Sequence, residues 1–309
     1  MNLKPSTQKN LFEHNDEFTN LVNLHSKNKL PNQILLSGER GIGKCTLAYH
    51  FINYVLSLDE NYSYDLNNFE INNENKSYKL TQNKTNPNLN LIDVNDDKKN
   101  IDINQIRDLI SNLNKSSFNS KPRFVLIDNI DLLNINSINA LLKILEEPND
   151  NIIFILINNN KKILPTLKSR CLNFKISLTY VQSINIINKI LNKNIFDSVS
   201  KELINFYSTP GELYKLIIFS NDTDIKLENI SLREFISLII SKKYYKKESS
   251  IKNLIYSMIE YYFRINTSID NTKLIKFHNY FLNKINDTKK FNLDEESLFI
   301  EFEDIILNG

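Results

Sequence analysis

The chain has 309 residues, 41% hydrophobic and 24% charged, enough for two or three domains with real cores. Lys and Arg number 38 against 36 Asp and Glu, a net charge of +2, which excludes a protein that grips nucleic acid by charge alone. Two cysteines, Cys45 and Cys171, exclude a disulfide framework, the longest apolar run (152–157) is too short to span a membrane, and the polar first residues carry no secretory signal, so a reduced cytoplasmic setting is expected.

In chain order, short apolar runs fall at 34–36, 91–94, 124–127 and 152–157, with a weaker one at 172–176. Continuous apolar runs of this length suit strands buried on both faces. Helical patterns lie between them: Leu47, Phe51, Ile52 and Val55, then Ile138, Leu141, Leu142 and Leu145. Strands alternating with helices predict a parallel sheet wound by crossovers. Residues 57–90 are rich in Asn, Ser, Tyr, Lys and Glu without a steady period, and are expected to form an exposed insertion or long loop. Beyond 179 the pattern is helical, at 184–191, 200–207, 232–243, 251–265 and 272–285, with Pro210-Gly211 expected as a turn between helices. The expected division is an α/β domain over 1–175, a small helical lid over 176–225 and a helical C-terminal domain over 226–309.

The sequence Gly38-Glu39-Arg40-Gly41-Ile42-Gly43-Lys44-Cys45-Thr46 follows the first strand and opens a helix, the context a phosphate-binding P-loop needs. Glycines let successive backbone N–H groups point inward, the helix N-terminus adds partial positive charge, and Lys44 is placed to reach phosphate. The next position calls for a Ser or Thr hydroxyl to hold Mg²⁺, but it is Cys45, and a thiol is a poor ligand for so hard a cation. Thr46 comes one residue late. The third strand ends in Asp128, the acid of a Walker B strand, followed by Asn129 where a catalytic base would stand; an amide accepts no proton in that role. Two readings stay open: a loop kept only as a strand–helix joint, or a site that still takes ATP and Mg²⁺. Asp128 is correspondingly a capping carboxylate or a residual metal contact.

Four stretches together resemble the delta-prime family of bacterial DNA polymerase III clamp-loader subunits, within the AAA+ superfamily. They are Leu11-Phe12-Glu13-His14 with the P-loop, the strand ending in Asp128, Asn139-Ala140-Leu141-Leu142-Lys143-Ile144-Leu145-Glu146-Glu147-Pro148, and Leu164-Pro165-Thr166-Leu167-Lys168-Ser169-Arg170-Cys171. The resemblance covers 11–176 and is only architectural beyond. It implies a RecA-like parallel sheet, a helical lid and an all-α collar domain. It also implies that Arg170, in its Ser169-Arg170-Cys171 setting, serves as an arginine finger on a neighbouring subunit's ATP. An Arg suits that task because it is always charged and forks two donors onto a phosphate. Implied partners are the tau/gamma motor subunit, delta, the sliding clamp and primed DNA, with no membrane. Cys171 is expected to be a small buried residue, neither nucleophile nor ligand.

Two departures separate the chain from the family pattern. Relatives carry a cysteine-bound zinc module in the stretch matching 57–90, which here has no cysteine, so no zinc and no metal ligand set is expected. Relatives that use ATP place a lid arginine where this chain has Gly211 or Glu212. With Cys45 and Asn129, this predicts a subunit that does not hydrolyse ATP. The alternatives are a hydrolysing tau/gamma-type motor subunit or another AAA+ ATPase acting on DNA. Asn158 matches a sensor position or simply belongs to an Asn-rich turn. The four histidines are scattered without metal or triad spacing. Lys242, Lys243, Lys246 and Lys247 around Tyr244 and Tyr245 read as a solvated helix face rather than a DNA contact, and Tyr261, Tyr262, Phe263 and Ile265 as collar interface or core.

Overall fold

A computed structural model describes residues 3–95, 98, 100–115, 119–146, 151–205, 208–246, 249–266, 272–291 and 293–308, with only the backbone at 249, 250, 272 and 273. Glu147 and Pro148 of the third motif, Tyr207 and Lys247 lie outside these residues. The chain forms two compact units, 1–182 and 183–309.

The first unit is built on five parallel strands: β1 (Gln33–Ser37), β2 (Leu89–Ile92), β3 (Arg123–Ile127), β4 (Ile152–Asn158) and β5 (Leu172–Lys175). Their order across the sheet is β2-β3-β4-β1-β5. Side chains alternate between two cores, as the two-residue repeat of a strand requires. Ile34, Leu36, Phe124, Leu126, Ile153, Ile155 and Ile157 enter one core with α1 (Asn15–Ser26) and α2 (Lys44–Ser57). Leu35, Val125, Ile127, Ile152, Phe154 and Leu156 enter the other, with α4 (Ile103–Leu113) and α5 (Ile135–Glu146). Burial on both faces is why the three central strands β1, β3 and β4 read as apolar runs, while β2 and β5 at the flanks are partly exposed. The expected α/β fold with a parallel, helix-covered sheet is therefore present, and β2 begins two residues earlier than its run suggested.

The stretch 57–90 corrects the sequence reading. It has no helix or strand between Ser57 and Lys76 and many of its residues are exposed, but a few anchors pack it along the outer side of α2, which is buried along nearly its whole length. Tyr64, Ile71, Asn75 and Ser77 are buried. Tyr64 stacks on Phe18 with ring centroids 4.9 Å apart. Asn75 accepts from Asn53 (3.0 Å) and caps α3 (Lys76–Gln82) by accepting from the Tyr78 N–H (2.7 Å). Ser77 donates to the Leu56 carbonyl and to Glu60. A few anchors set among polar residues hold the segment, so no hydrophobic period announces it.

The second unit carries no strands among the described residues. It contains α8 (Pro210–Thr223), α9 (Leu232–Ser241), α10 (Ser249–Asn266), α11 (Thr272–Phe291) and α12 (Glu295–Phe302), and the boundary with the first unit falls inside α7 (Tyr180–Leu191). Phe263 is core: it stacks on His278 (5.1 Å between centroids) and packs on Phe281 and Phe302, while Ile265 is exposed. Pro210-Gly211 is not a turn between helices but the first turn of α8. Thr209 caps it, accepting from the Glu212 N–H and donating its own N–H to Glu212. Of the helix expected at 200–207, the described residues 200–205 form only a short 3₁₀ turn, Lys201–Leu203, capped by Ser200, whose N–H donates to the Leu227 carbonyl beside a bridge between Val199 and Leu227. Lys243 and Lys246 both pair with Glu296 (2.6 and 2.5 Å), and Tyr245 is buried. Among the described residues, no helix is long and apolar enough to cross a membrane.

Candidate functional site

The phosphate loop leaves β1 at the carboxyl edge of the sheet, where open parallel sheets place their ligands. Gly38 is required by space: a Cβ there would lie 2.3 Å from the Ile176 carbonyl oxygen. Gly43 is required by conformation, with φ of 94°, and it hands the chain to α2. Gly41 is also in the left-handed region. Below the loop, the buried His14 ring meets the Ile42 carbonyl and sits under Gly43.

The Lys44 amine donates to the carbonyl oxygens of Gly38 (2.9 Å) and Glu39, curling the loop onto its own lysine. Burial lowers its pKa to about 8, opposed by the nearby charges of Asp128 and Asp131. Cys45 faces Asp128. Burial pushes the thiol well above its ordinary range, and the nearby Asp128 charge reinforces this. Burial, then the neighbouring Asp93, also raises Asp128. Thr46 lies half-buried on the first turn of α2.

The Cys45 thiol gives Mg²⁺ no hydroxyl oxygen at the position where a hard cation needs one. These residues do not fit the metal. The loop and helix N-terminus do suit backbone recognition of phosphate.

Asn129, at φ of 56°, uses both ends of its amide. Its nitrogen donates to Asp93 (2.8 Å), and its oxygen accepts from Asn159 (2.8 Å). Asn159 also donates to Asp131 (3.2 Å), which pairs with Lys161 (3.0 Å). A polar strap thus joins the carboxyl ends of β2, β3 and β4 at the position where a base would act. Sequence reading missed Asp93, Asp131 and Asn159, although Asp93, inside the 91–94 run, directly follows β2 as Asp128 follows β3. Asn158 donates its side-chain amide to the Lys161 carbonyl (2.9 Å), and its own carbonyl accepts from the Gly38 N–H (3.2 Å).

Arg170 lies elsewhere. It follows α6 (Pro165–Lys168) and precedes β5, and it donates through Nη1 to the Thr166 carbonyl (2.7 Å) and through Nη2 to Glu146 (2.6 Å). Ser169 donates to the same Thr166 carbonyl (3.2 Å). Cys171 is half-buried rather than buried; it donates to the Leu167 carbonyl (3.3 Å), and burial pushes its thiol up to about 11, which leaves it protonated and unreactive. Strand β5 pairs with β1 from Leu172 opposite Ile34 to Lys175 opposite Ser37. The phosphate loop follows Ser37, whereas Arg170 comes before Leu172. The two lie at opposite edges of the sheet, separated by roughly 13 Å of strand at ~3.3 Å per residue.

A sequence profile for the family described as "DNA polymerase III, delta subunit" matches residues 13–179, more than half of the chain. The chain belongs to this family. It is 29% identical to DNA polymerase III subunit gamma of Buchnera aphidicola subsp. Schizaphis graminum over 69% of this chain and 57% of that protein. It is 32% identical to subunit delta' of Pseudomonas aeruginosa over 44% of this chain and 40% of that protein. The delta' subunit of the same Buchnera is 24% identical over 87% of this chain and 83% of that one. The match thus spans 57% and 40% of the first two relatives' own lengths. The part matched to the delta family contains both edges of the sheet, the phosphate loop and Arg170.

Proposed function

We propose that this chain is a delta-prime-type, non-hydrolysing subunit of a DNA polymerase III clamp loader. In this reading it assembles with a tau/gamma motor subunit and with delta, and it helps place the sliding clamp on primed DNA through the complex. Arg170 completes the ATP site of the neighbouring motor subunit.

The observation that carries this reading is the placement of Arg170 at the opposite edge of the sheet from the chain's own phosphate loop. From there it cannot serve its own loop, and it is free to face a neighbour. Its contribution would be electrostatic: a fixed cation with forked donors meets the charge that builds on the transferred phosphoryl group. The thiol of Cys45 in the place of a hydroxyl and the doubly used amide of Asn129 support the absence of turnover within this chain. The parent names of the relatives support the assembly partners.

The test is clamp-stimulated ATP turnover of the reconstituted loader containing this chain as wild type or Arg170→Ala. Loss of most of the turnover in the variant supports the trans role; equal turnover removes it. A second reading, a hydrolysing motor subunit, draws on the P-loop glycines with Lys44 and Asp128. Substantial ATP turnover by the isolated chain would select that reading instead.

A further inference from the structure

Arg170 is held by two contacts from its own chain, both at the amino edge of the sheet. One is the Thr166 carbonyl, one helical turn back. The other is Glu146, which ends α5, an element that approaches from the far side of β4. A guanidinium carries five N–H donors in a rigid fork. Two of them are placed by these contacts, which leaves three for an incoming anion. The Arg170 side chain is 33% exposed and that of Glu146 53% exposed, so the pair is wet. A wet pair of this kind contributes little to folding stability.

What the contacts do provide is orientation. An unheld arginine samples many rotamers, and each encounter with a phosphate must first freeze them. With Nη1 on a backbone carbonyl and Nη2 on a carboxylate, the plane of the guanidinium is fixed in advance. We infer that Glu146 is a positioning residue for Arg170, fixing the guanidinium plane so that its remaining donors face a phosphate on a neighbouring subunit. This rests on the reading of Arg170 given above. The working atom is the Glu146 Oε1 acceptor, so an amide oxygen at the same place serves nearly as well.

The test uses the reconstituted loader with Glu146→Ala, Glu146→Gln, Arg170→Ala and the Glu146→Ala/Arg170→Ala pair. Clamp-stimulated ATP turnover is read as kcat and KM, and thermal melting of each isolated chain is read alongside. The expected result is a kcat about tenfold lower in Glu146→Ala with KM and melting unchanged, since misplacing a catalytic group by about an ångström costs rate rather than binding. Glu146→Gln should keep at least half of the wild-type kcat. The double variant should be no slower than Arg170→Ala, because both changes remove one function. A Glu146→Ala loader at or above wild-type rate, a Gln variant as slow as the Ala variant, or additive losses in the double variant would overturn the inference while Arg170→Ala still loses turnover. If Arg170→Ala itself is indistinguishable from wild type, the reading of Arg170 falls first and the inference falls with it.

Discussion

Nε2 of His14 lies 2.5 Å from the carbonyl oxygen of Ile42, inside the phosphate loop. A carbonyl only accepts, so Nε2 carries the hydrogen and the tautomer follows. Nδ1 is then a bare acceptor, buried and without a hydrogen-bond partner among the described residues, 3.9 Å from Glu17. Burial lowers the His14 pKa. The ring is a neutral prop that holds the loop from below. Replacing His14 with Ala leaves a buried carbonyl unpaired and a void under Gly43. The expected cost is about 2–4 kcal/mol. Urea unfolding would measure it, and amide exchange at 41–44 should speed up in the variant.

His50 makes stability depend on pH. Its Nε2 donates to the Gln8 carbonyl (3.2 Å) and its Nδ1 accepts from the Tyr64 hydroxyl (2.8 Å). Burial lowers its pKa from 6.5 to about 4, so the folded ring is neutral where the unfolded ring is charged. The contribution is whole above about 6.5 and is lost as the pH falls through 6.5 towards 4. His14 and His25 shift in the same direction. The urea midpoint should therefore fall between pH 7 and 4, by an amount for His50 on the order of 3 kcal/mol. In His50→Gln the slope over this window should be visibly shallower; an unchanged slope would assign it to other groups.

Cys45 and Asp128 make a prediction about magnesium. With a thiol in the ligand position, nucleotide affinity of the isolated chain should be the same with Mg²⁺ and with EDTA. Cys45→Ser restores a hydroxyl, and Mg²⁺ should then tighten ADP binding by about tenfold. Turnover should still be absent, because Asn129 remains tied to Asp93 and Asn159. Calorimetric titration in the two buffers checks the binding, and phosphate release checks the turnover.

Tyr64 tests whether 57–90 belongs to the core. Tyr64→Phe removes only the hydroxyl that His50 accepts from, at a cost of about 1 kcal/mol. Tyr64→Ala also removes the ring stacked on Phe18 and should cost about 3–5 kcal/mol. A dispensable surface loop would show neither loss on thermal or urea unfolding.

The centre of the sheet was legible because β1, β3 and β4 are buried on both faces, so Ile34-Leu35-Leu36 and the 152–157 run announce themselves without any partner in view. The phosphate loop was legible because Gly38, Gly43 and Lys44 act through spacing along one short segment. The contacts around Asn129 were not, since Asp93 and Asn159 arrive from other strands and meet it only once the sheet has formed. The same holds for Glu146, whose role depends on α5 ending where β5 begins. In 57–90 the anchors Tyr64, Ile71, Asn75 and Ser77 are spaced by no helical or strand period, and an Asn- and Lys-rich background hides them.

Strand β1 has neighbours only from much later in the chain: Ile34 pairs with Ile155 on one side and with Leu172 on the other. During synthesis, at ~5–20 residues per second, this buried strand waits many seconds for either neighbour to leave the ribosome. Until residue 175 has emerged, the α1–β1–α2 segment can collapse but cannot close its sheet. The nascent chain therefore passes through a period of exposure to trigger-factor-like holdases and proteases, and a slow stretch of translation shortly after residue 175 would let the first unit close before the helical half arrives.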